Sequence, residues 1–231
     1  MPKIIFLHVG DDICTSIFAK SVKRVMPDAE LIQCTDRSTP IIEGVDDVLR
    51  HSGDTSNLMT FRTECFSKIS TSDTAIFLDT DMLLLQAINV EYLMGGFDII
   101  ACRRSFQRDT PVNTSFKGMD LAEYAGSTLD QAWPYLACFT AVKDCDYWMS
   151  CNEALTSQIP EKFKFWYGDQ EAIKMVLRSG EYKYGVIPEH IVACLPDLHS
   201  NDMPKPLALH FKGDARKQMM HSIASQLGLT N

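Results

Sequence analysis

Several features are missing from the 231-residue sequence, and each absence removes a class of protein. There is no basic surplus: the formal net charge is −8. A general nucleic-acid binder would carry a basic patch, so none is expected. No apolar run approaches the roughly 20 residues that span a bilayer. The start, Met1-Pro2-Lys3 followed by Ile4 to Leu7, is too short for a signal peptide and reads as a strand. A cytoplasmic protein is expected, with peripheral membrane association left open. The eight cysteines, at 14, 34, 65, 102, 138, 145, 151 and 194, form no CxxC pair. Several sit in apolar runs, so reduced, buried thiols are expected rather than a zinc site or a disulfide framework. There is no GxxxxGK[ST] loop and no Gly-rich run after the first strand. Internal repeats, low-complexity tracts and linkers are absent too. A single domain over residues 1–231 is the expectation.

What is present alternates between short apolar runs and helical periodicity. After Ile4 to Leu7, the residues Ile13, Ile17, Phe18, Val22, Val25 and Met26 recur at helical spacing until Pro27. Glu30 to Thr35 reads as a second strand. A helix is expected from about Asn57 to Ile69, with Leu58, Phe61, Cys65, Phe66 and Ile69 as its apolar stripe and Arg62 inside that stripe. Strands follow at Thr74 to Leu78 and Phe97 to Cys102. Residues 105–130 read as a loop or loosely helical insertion. Tyr135 to Val142 is a strand, Tyr147 to Thr156 a helix, and Gly168-Asp169-Gln170 opens a helix stopped by Gly180. Val186-Ile187-Pro188 and Ile191 to Cys194 read as extended pieces. Leu207 to Phe211 is a last strand, leading through Gly213 to a short helix. This order predicts an α/β fold with a mainly parallel central sheet and helices on both faces. In such sheets ligands bind beyond the carboxyl ends of the strands.

The sharpest chemical signal is Asp79-Thr80-Asp81, directly after the apolar run Ala75-Ile76-Phe77-Leu78. Ionised groups at the end of a buried strand are costly unless compensated. A hard divalent cation with a diphosphate would compensate them. A solvated turn would look the same, so context decides. His210 ends another apolar run and is a candidate third ligand. Gly213 lets backbone N–H groups approach a phosphate, with Lys212, Arg216 and Lys217 nearby as cations.

Asp11-Asp12, Phe61-Arg62, Phe77-Leu78-Asp79-Thr80-Asp81, Gly168-Asp169-Gln170 and His210-Phe211-Lys212-Gly213 together resemble, in order and spacing, the glycosyltransferases of the GT-A fold. The nearest group is family 8, that of glycogenin and the lipopolysaccharide galactosyltransferases, and the resemblance runs from residue 4 to about 217. It implies transfer of a sugar from a nucleotide-sugar donor, UDP favoured, with retention at the anomeric carbon. The acceptor, a glycan, a lipid-linked glycan or a protein, is open. Asp79 and Asp81 would hold Mn²⁺ or Mg²⁺ with His210, and Asp79 and Thr80 would lie near the donor. Asp11, with Asp12 beside it, would meet the base. Arg62 would reach the donor, and Asp169 and Gln170 would flank the donor sugar as catalytic groups with Arg62. Lys212, Gly213 and Arg216 would meet the diphosphate. Arg104, Asp109 and Asp130 are candidates for acceptor contacts. The chain departs from the family at Leu136-Ala137-Cys138, where an asparagine-containing segment is usual, and at Gln218-Met219, where Pro-Trp is usual. It also lacks the basic, aromatic tail of some bacterial relatives. A nucleotidyl- or phosphoryl-transfer enzyme and a non-catalytic nucleotide-sugar-binding module are the competing readings.

Overall fold

The computed structural model describes residues 2–70 and 73–230. The chain opens with β1 (Lys3–Leu7), α1 (Ile13–Val25), β2 (Glu30–Thr35), β3 (Asp47–Arg50), α2 (Leu58–Phe66) and β4 (Ala75–Leu78). It continues through β5 (Met82–Leu84), α3 (Val90–Met94), β6 (Ile99–Arg103), α4 (Leu129–Ala132), β7 (Tyr135–Val142), α5 (Asp146–Ser157) and α6 (Glu161–Phe165). It closes with α7 (Gly168–Arg178), β8 (Tyr184–Pro188), α8 (Glu189–Val192), β9 (Ala208–His210) and α9 (Asp214–Gln226).

The central sheet has seven strands in the order β3-β2-β1-β4-β7-β6-β8. Within it β7 runs antiparallel to β4 and β6, and the other pairings are parallel. Its central strands β1 and β4 carry the unbroken apolar runs Ile4–Leu7 and Ala75–Leu78 because both faces are covered there. Ile4, Phe6, Ile76 and Leu78 face a layer containing Phe18 and Val22 of α1 and Met220 and Ala224 of α9. Their neighbours Ile5, Ala75 and Phe77 face the opposite layer, with Phe61 and Phe66 of α2, Trp148 of α5 and Ile173 of α7. Phe66, Phe77 and Trp148 meet in tilted and edge contacts with ring centroids 4.7 to 5.1 Å apart, tying α2 and α5 to β4. Such contacts add about 0.5–1.5 kcal/mol per pair beyond area burial. At the start of α1 the Asp12 carboxylate accepts from the Cys14 N–H at 2.9 Å, a cap worth about 1 kcal/mol.

The structure departs from the sequence reading in several places. Ile191 to Cys194 is not extended: Glu189–Val192 is a helical turn, and only Cys194 bridges to Leu209. The Glu189 carboxylate, 2% exposed, fixes that turn by accepting from the N–H groups of Ser105 and Phe106. A short apolar run cannot register so remote a contact. Leu58 is 43% exposed and lines a cavity rather than the core. Strands β3 and β5 and helices α3 and α6 are additional to the reading. Residues 105–130 carry single turns at Phe116–Gly118 and Ala122–Tyr124, and Val112, Met119 and Leu121 anchor the segment in the core. All eight cysteines are buried, and no disulfide joins them among the described residues.

Candidate functional site

A small two-stranded ribbon assembles the site. Strand β5 starts immediately after Asp81 and pairs antiparallel with β9, Met82 opposite His210. The Phe211 N–H donates to the Asp81 carbonyl at 2.8 Å, and the Asp79 N–H donates to the Cys138 carbonyl of β7 at 3.1 Å. This backbone pairing, which brings Met82 opposite a residue 128 positions further along the chain, carries the imidazole to the acids. His210 Nε2 lies 3.2 Å from Asp81 Oδ1 and 4.0 Å from Asp79 Oδ2. One ligand atom from each of the three residues falls within 4.8 Å of the others. An octahedral cation with bonds of about 2.1 Å separates adjacent ligand atoms by about 3 Å and opposed ones by about 4.2 Å, so the donor set fits. Burial pushes the Asp81 carboxyl upward, but His210 outweighs it and holds the carboxyl below its ordinary range. Burial likewise disfavours the His210 imidazolium, and Cys138 and the Asp81 carboxylate together outweigh that to raise its pKa. His210 Nδ1 is buried without a hydrogen bond, in an interior it shares with the Cys138 thiol.

Arg62 enters this cluster from α2. Its Nη1 is 2.5 Å from Asp79 Oδ1, and its Nη2 pairs with Asp169. The arginine is 9% exposed, so it does not snorkel to solvent: the charge in the apolar stripe is held between two carboxylates. Asp169 is 2% exposed in the first turn of α7 rather than at its N-cap, which is Tyr167. Two features bring that helix start so close. Tyr167 takes a left-handed conformation (φ +67°), and Gly168 packs where a Cβ would meet the Phe163 carbonyl oxygen at 2.6 Å. The Tyr167 ring stacks on Trp133 with centroids 3.8 Å apart and planes 6° from parallel. Glu171 fixes Trp133 in turn, accepting from its Nε1 at 2.6 Å and from the Tyr124 hydroxyl at 2.5 Å. Gln170 Oε1 accepts from Arg104 Nη2 at 3.2 Å, and Arg104 Nε donates to the Trp133 carbonyl at 3.0 Å.

These groups surround a cavity of about 700 Å³. Its lining brings together most of the expected site: Arg62, Asp79, Thr80, Asp81, Asp169, Gln170, His210, Lys212 and Gly213. Three expected residues do not line it. Asp11 is exposed at the end of the β1–α1 turn. Asp12 caps α1 and binds Lys217 Nζ at 3.0 Å. Arg216 turns away to a two-pronged pair with Asp197, at 2.5 and 2.8 Å. One position further along α9, Lys217 lines the cavity instead. Of the acceptor candidates, Arg104 lines the cavity, whereas Asp109 is exposed and Asp130 pairs with Arg103 and Arg108. Trp166 and Tyr167 are lining residues the sequence reading did not single out. Their adjacency to Gly168-Asp169-Gln170 was the available signal. Leu136, Ala137 and Cys138, where the resemblance would put an asparagine-containing segment, also line the wall.

The architecture and this cluster at the strand ends define the class: the chain has the GT-A glycosyltransferase fold. Among solved structures it is similar to the galactosyltransferase LgtC in complex with donor and acceptor sugar analogues, with a TM-score of 0.63 at 13% identity over 97% of this chain and 95% of that one. An active-site mutant of LgtC superposes with a TM-score of 0.58 at 13% identity and the same coverage. The glycosyltransferase GlyE of Streptococcus pneumoniae TIGR4 gives 0.59 at 14% identity over 96% of this chain and 59% of GlyE. No family model matches the sequence, and no curated protein matches it.

Proposed function

We propose that the chain is a metal-dependent glycosyltransferase that moves a hexose from a UDP-sugar to a hydroxyl acceptor, with retention at the anomeric carbon. The observation that carries this reading is the convergence of Asp79, Asp81 and His210 within one 700 Å³ cavity of a GT-A fold. These three residues would hold Mn²⁺ or Mg²⁺, which when bound supplies positive charge against the diphosphate. Gly213, at φ +88° and ψ 157°, turns the chain so that the N-terminus of α9 opens on the cavity. Backbone N–H groups there, with Lys212 and Lys217, suit phosphate oxygens. Arg62 presents a guanidinium locked between Asp79 and Asp169, so it needs little reorganisation when charge builds on the departing UDP. Asp169 and Gln170 line the wall beside the donor sugar, oriented by Arg62 and Arg104. A glycan, a lipid-linked glycan and a protein are all candidate acceptors. No helix among the described residues is long and apolar enough to cross a membrane.

The test is donor turnover. Incubation with UDP-glucose or UDP-galactose and Mn²⁺ should release UDP, and EDTA should stop it. Arg62→Lys should slow release by about 10²–10³. Release of UMP with pyrophosphate would identify a nucleotidyltransferase. Tight donor binding without any turnover would identify a binding module.

A further inference from the structure

Among the described residues, one buried arginine has no ion-pair partner. Arg104 is 4% exposed and lines the cavity. A guanidinium carries five N–H donors. Nε is engaged by the Trp133 carbonyl at 3.0 Å and Nη2 by Gln170 Oε1 at 3.2 Å. Both partners are neutral, and no carboxylate forms an ion pair with Arg104 among the described residues. The acids tied to its chain neighbours are occupied: Asp130 takes Arg103 and Arg108, and Glu189 accepts from the N–H groups of Ser105 and Phe106. A charge held out of water and not neutralised by the protein is costly unless a ligand completes it.

The position of Arg104 says which ligand. It follows β6, and Asp79 follows β4; β7 lies between them in the sheet. At about 4.8 Å per strand the two backbones stand at least about 10 Å apart, and they are also offset along β7, since the Asp79 N–H donates to the Cys138 carbonyl and the Arg104 N–H to the Pro134 carbonyl. The diphosphate pole has cations of its own in Lys212 and Lys217. Arg104, next to Gln170 and apart from those two lysines, is therefore available to a second negative charge. The lining of the same cavity includes the polar side chains of Gln107, Thr110 and Asn113 and the ring of Trp166, one face of which is covered by the Lys117 ammonium at 3.4 Å, so that a hydroxylated ring would meet the polar side chains and the remainder of the indole.

We propose that the acceptor is an anionic sugar, whose carboxylate or phosphate is bound by Arg104 while its ring lies against the wall formed by residues 107–116 and Trp166. This rests on the transferase reading above. A charge-assisted contact of this kind favours the anion on the order of 10- to 100-fold.

The protein is titrated calorimetrically with methyl glucuronide against methyl glucoside, and with glucose 6-phosphate against glucose, both with and without UDP and Mn²⁺. At least one anionic sugar should bind about 10-fold or more tightly than its neutral counterpart. The pair that discriminates tells a uronic acid from a phosphosugar. Arg104→Gln should bring the two within about 2-fold, and Arg104→Lys should restore part of the difference. Equal binding of charged and neutral sugars by the unmodified protein overturns the proposal, and needs no variant to fold. So does a preference that survives in Arg104→Gln with a native circular dichroism spectrum. A preference for UDP-glucuronate over UDP-glucose that Arg104→Gln abolishes would place the charge on the donor, and also overturns it. Failure of UDP to bind in the presence of Mn²⁺ refutes the transferase reading instead, and is seen separately in the same titrations.

Discussion

Replacing Arg62 with methionine keeps the aliphatic stem and removes the cation held between Asp79 and Asp169. The cost falls mainly on Asp169, whose side chain is 2% exposed; Asp79, at 28%, can draw on solvent. Leaving one member of a buried pair uncompensated costs about 3–5 kcal/mol. With one acid partly hydrated, the lower end, about 3 kcal/mol, applies. For a domain of this size that lowers the melting temperature by about 6–12 °C at pH 7.5. The loss also depends on pH with a definite sign. Without its cation the buried Asp169 carboxyl favours the protonated form, so its folded pKa in the variant lies above the unfolded value. A raised folded pKa contributes stability at low pH that is lost as pH rises through it. The gap between Arg62→Met and the unmodified protein should therefore narrow between pH 7.5 and pH 5. Adding Asp169→Asn to Arg62→Met removes the stranded charge and should recover part of the loss. Thermal melts followed by circular dichroism at both pH values decide the matter. A gap under about 2 °C, or one equal at both pH values, would refute the argument that Arg62 neutralises a buried acid.

Three further outcomes follow from other contacts. Gly168→Ala forces a Cβ against the Phe163 carbonyl oxygen, and should cost about 1–3 kcal/mol in urea denaturation through displacement of the α7 start. Glu171→Gln weakens the acceptor shared by Trp133, Tyr124 and Lys174, and should cost about 2 kcal/mol in the same assay. Asp12→Ala removes the cap of α1 and the partner of Lys217, and should cost about 1 kcal/mol at pH 7. Burial opposes it, but hydrogen bonds from Cys14 and Lys217 hold the folded Asp12 pKa below its ordinary value. That contribution is present at neutral pH and lost as pH falls through the folded pKa, so the difference between variant and parent should vanish in acid.

The central strands were legible because burial on both faces writes itself as apolar runs, as in Ala75–Leu78 and Leu136–Phe139. Strand β3 was not: it pairs only with β2 in the central sheet, and Asp47-Val48-Leu49-Arg50 carries no such run. Strand β5 is three residues long and exists through its pairing with β9, a contact sequence periodicity cannot express. The reversal of β7 is likewise a matter of connection, not composition. At the site, Asp79, Asp81 and His210 could be read because charge at the end of an apolar run is chemically anomalous. Arg216 and Lys217 could not be told apart from sequence. Both follow Gly213 on α9, and which one faces the cavity depends on Asp197 capturing Arg216 from a distant loop.

The proposed function centres on a divalent cation that Asp79, Asp81 and His210 would hold. Calorimetric titration of UDP into the protein with Mn²⁺, with EDTA, and with the Asp81→Asn variant plus Mn²⁺ tests it most directly. Saturable binding in the first titration alone is the predicted result. UDP affinity unchanged by EDTA or by Asp81→Asn would contradict it.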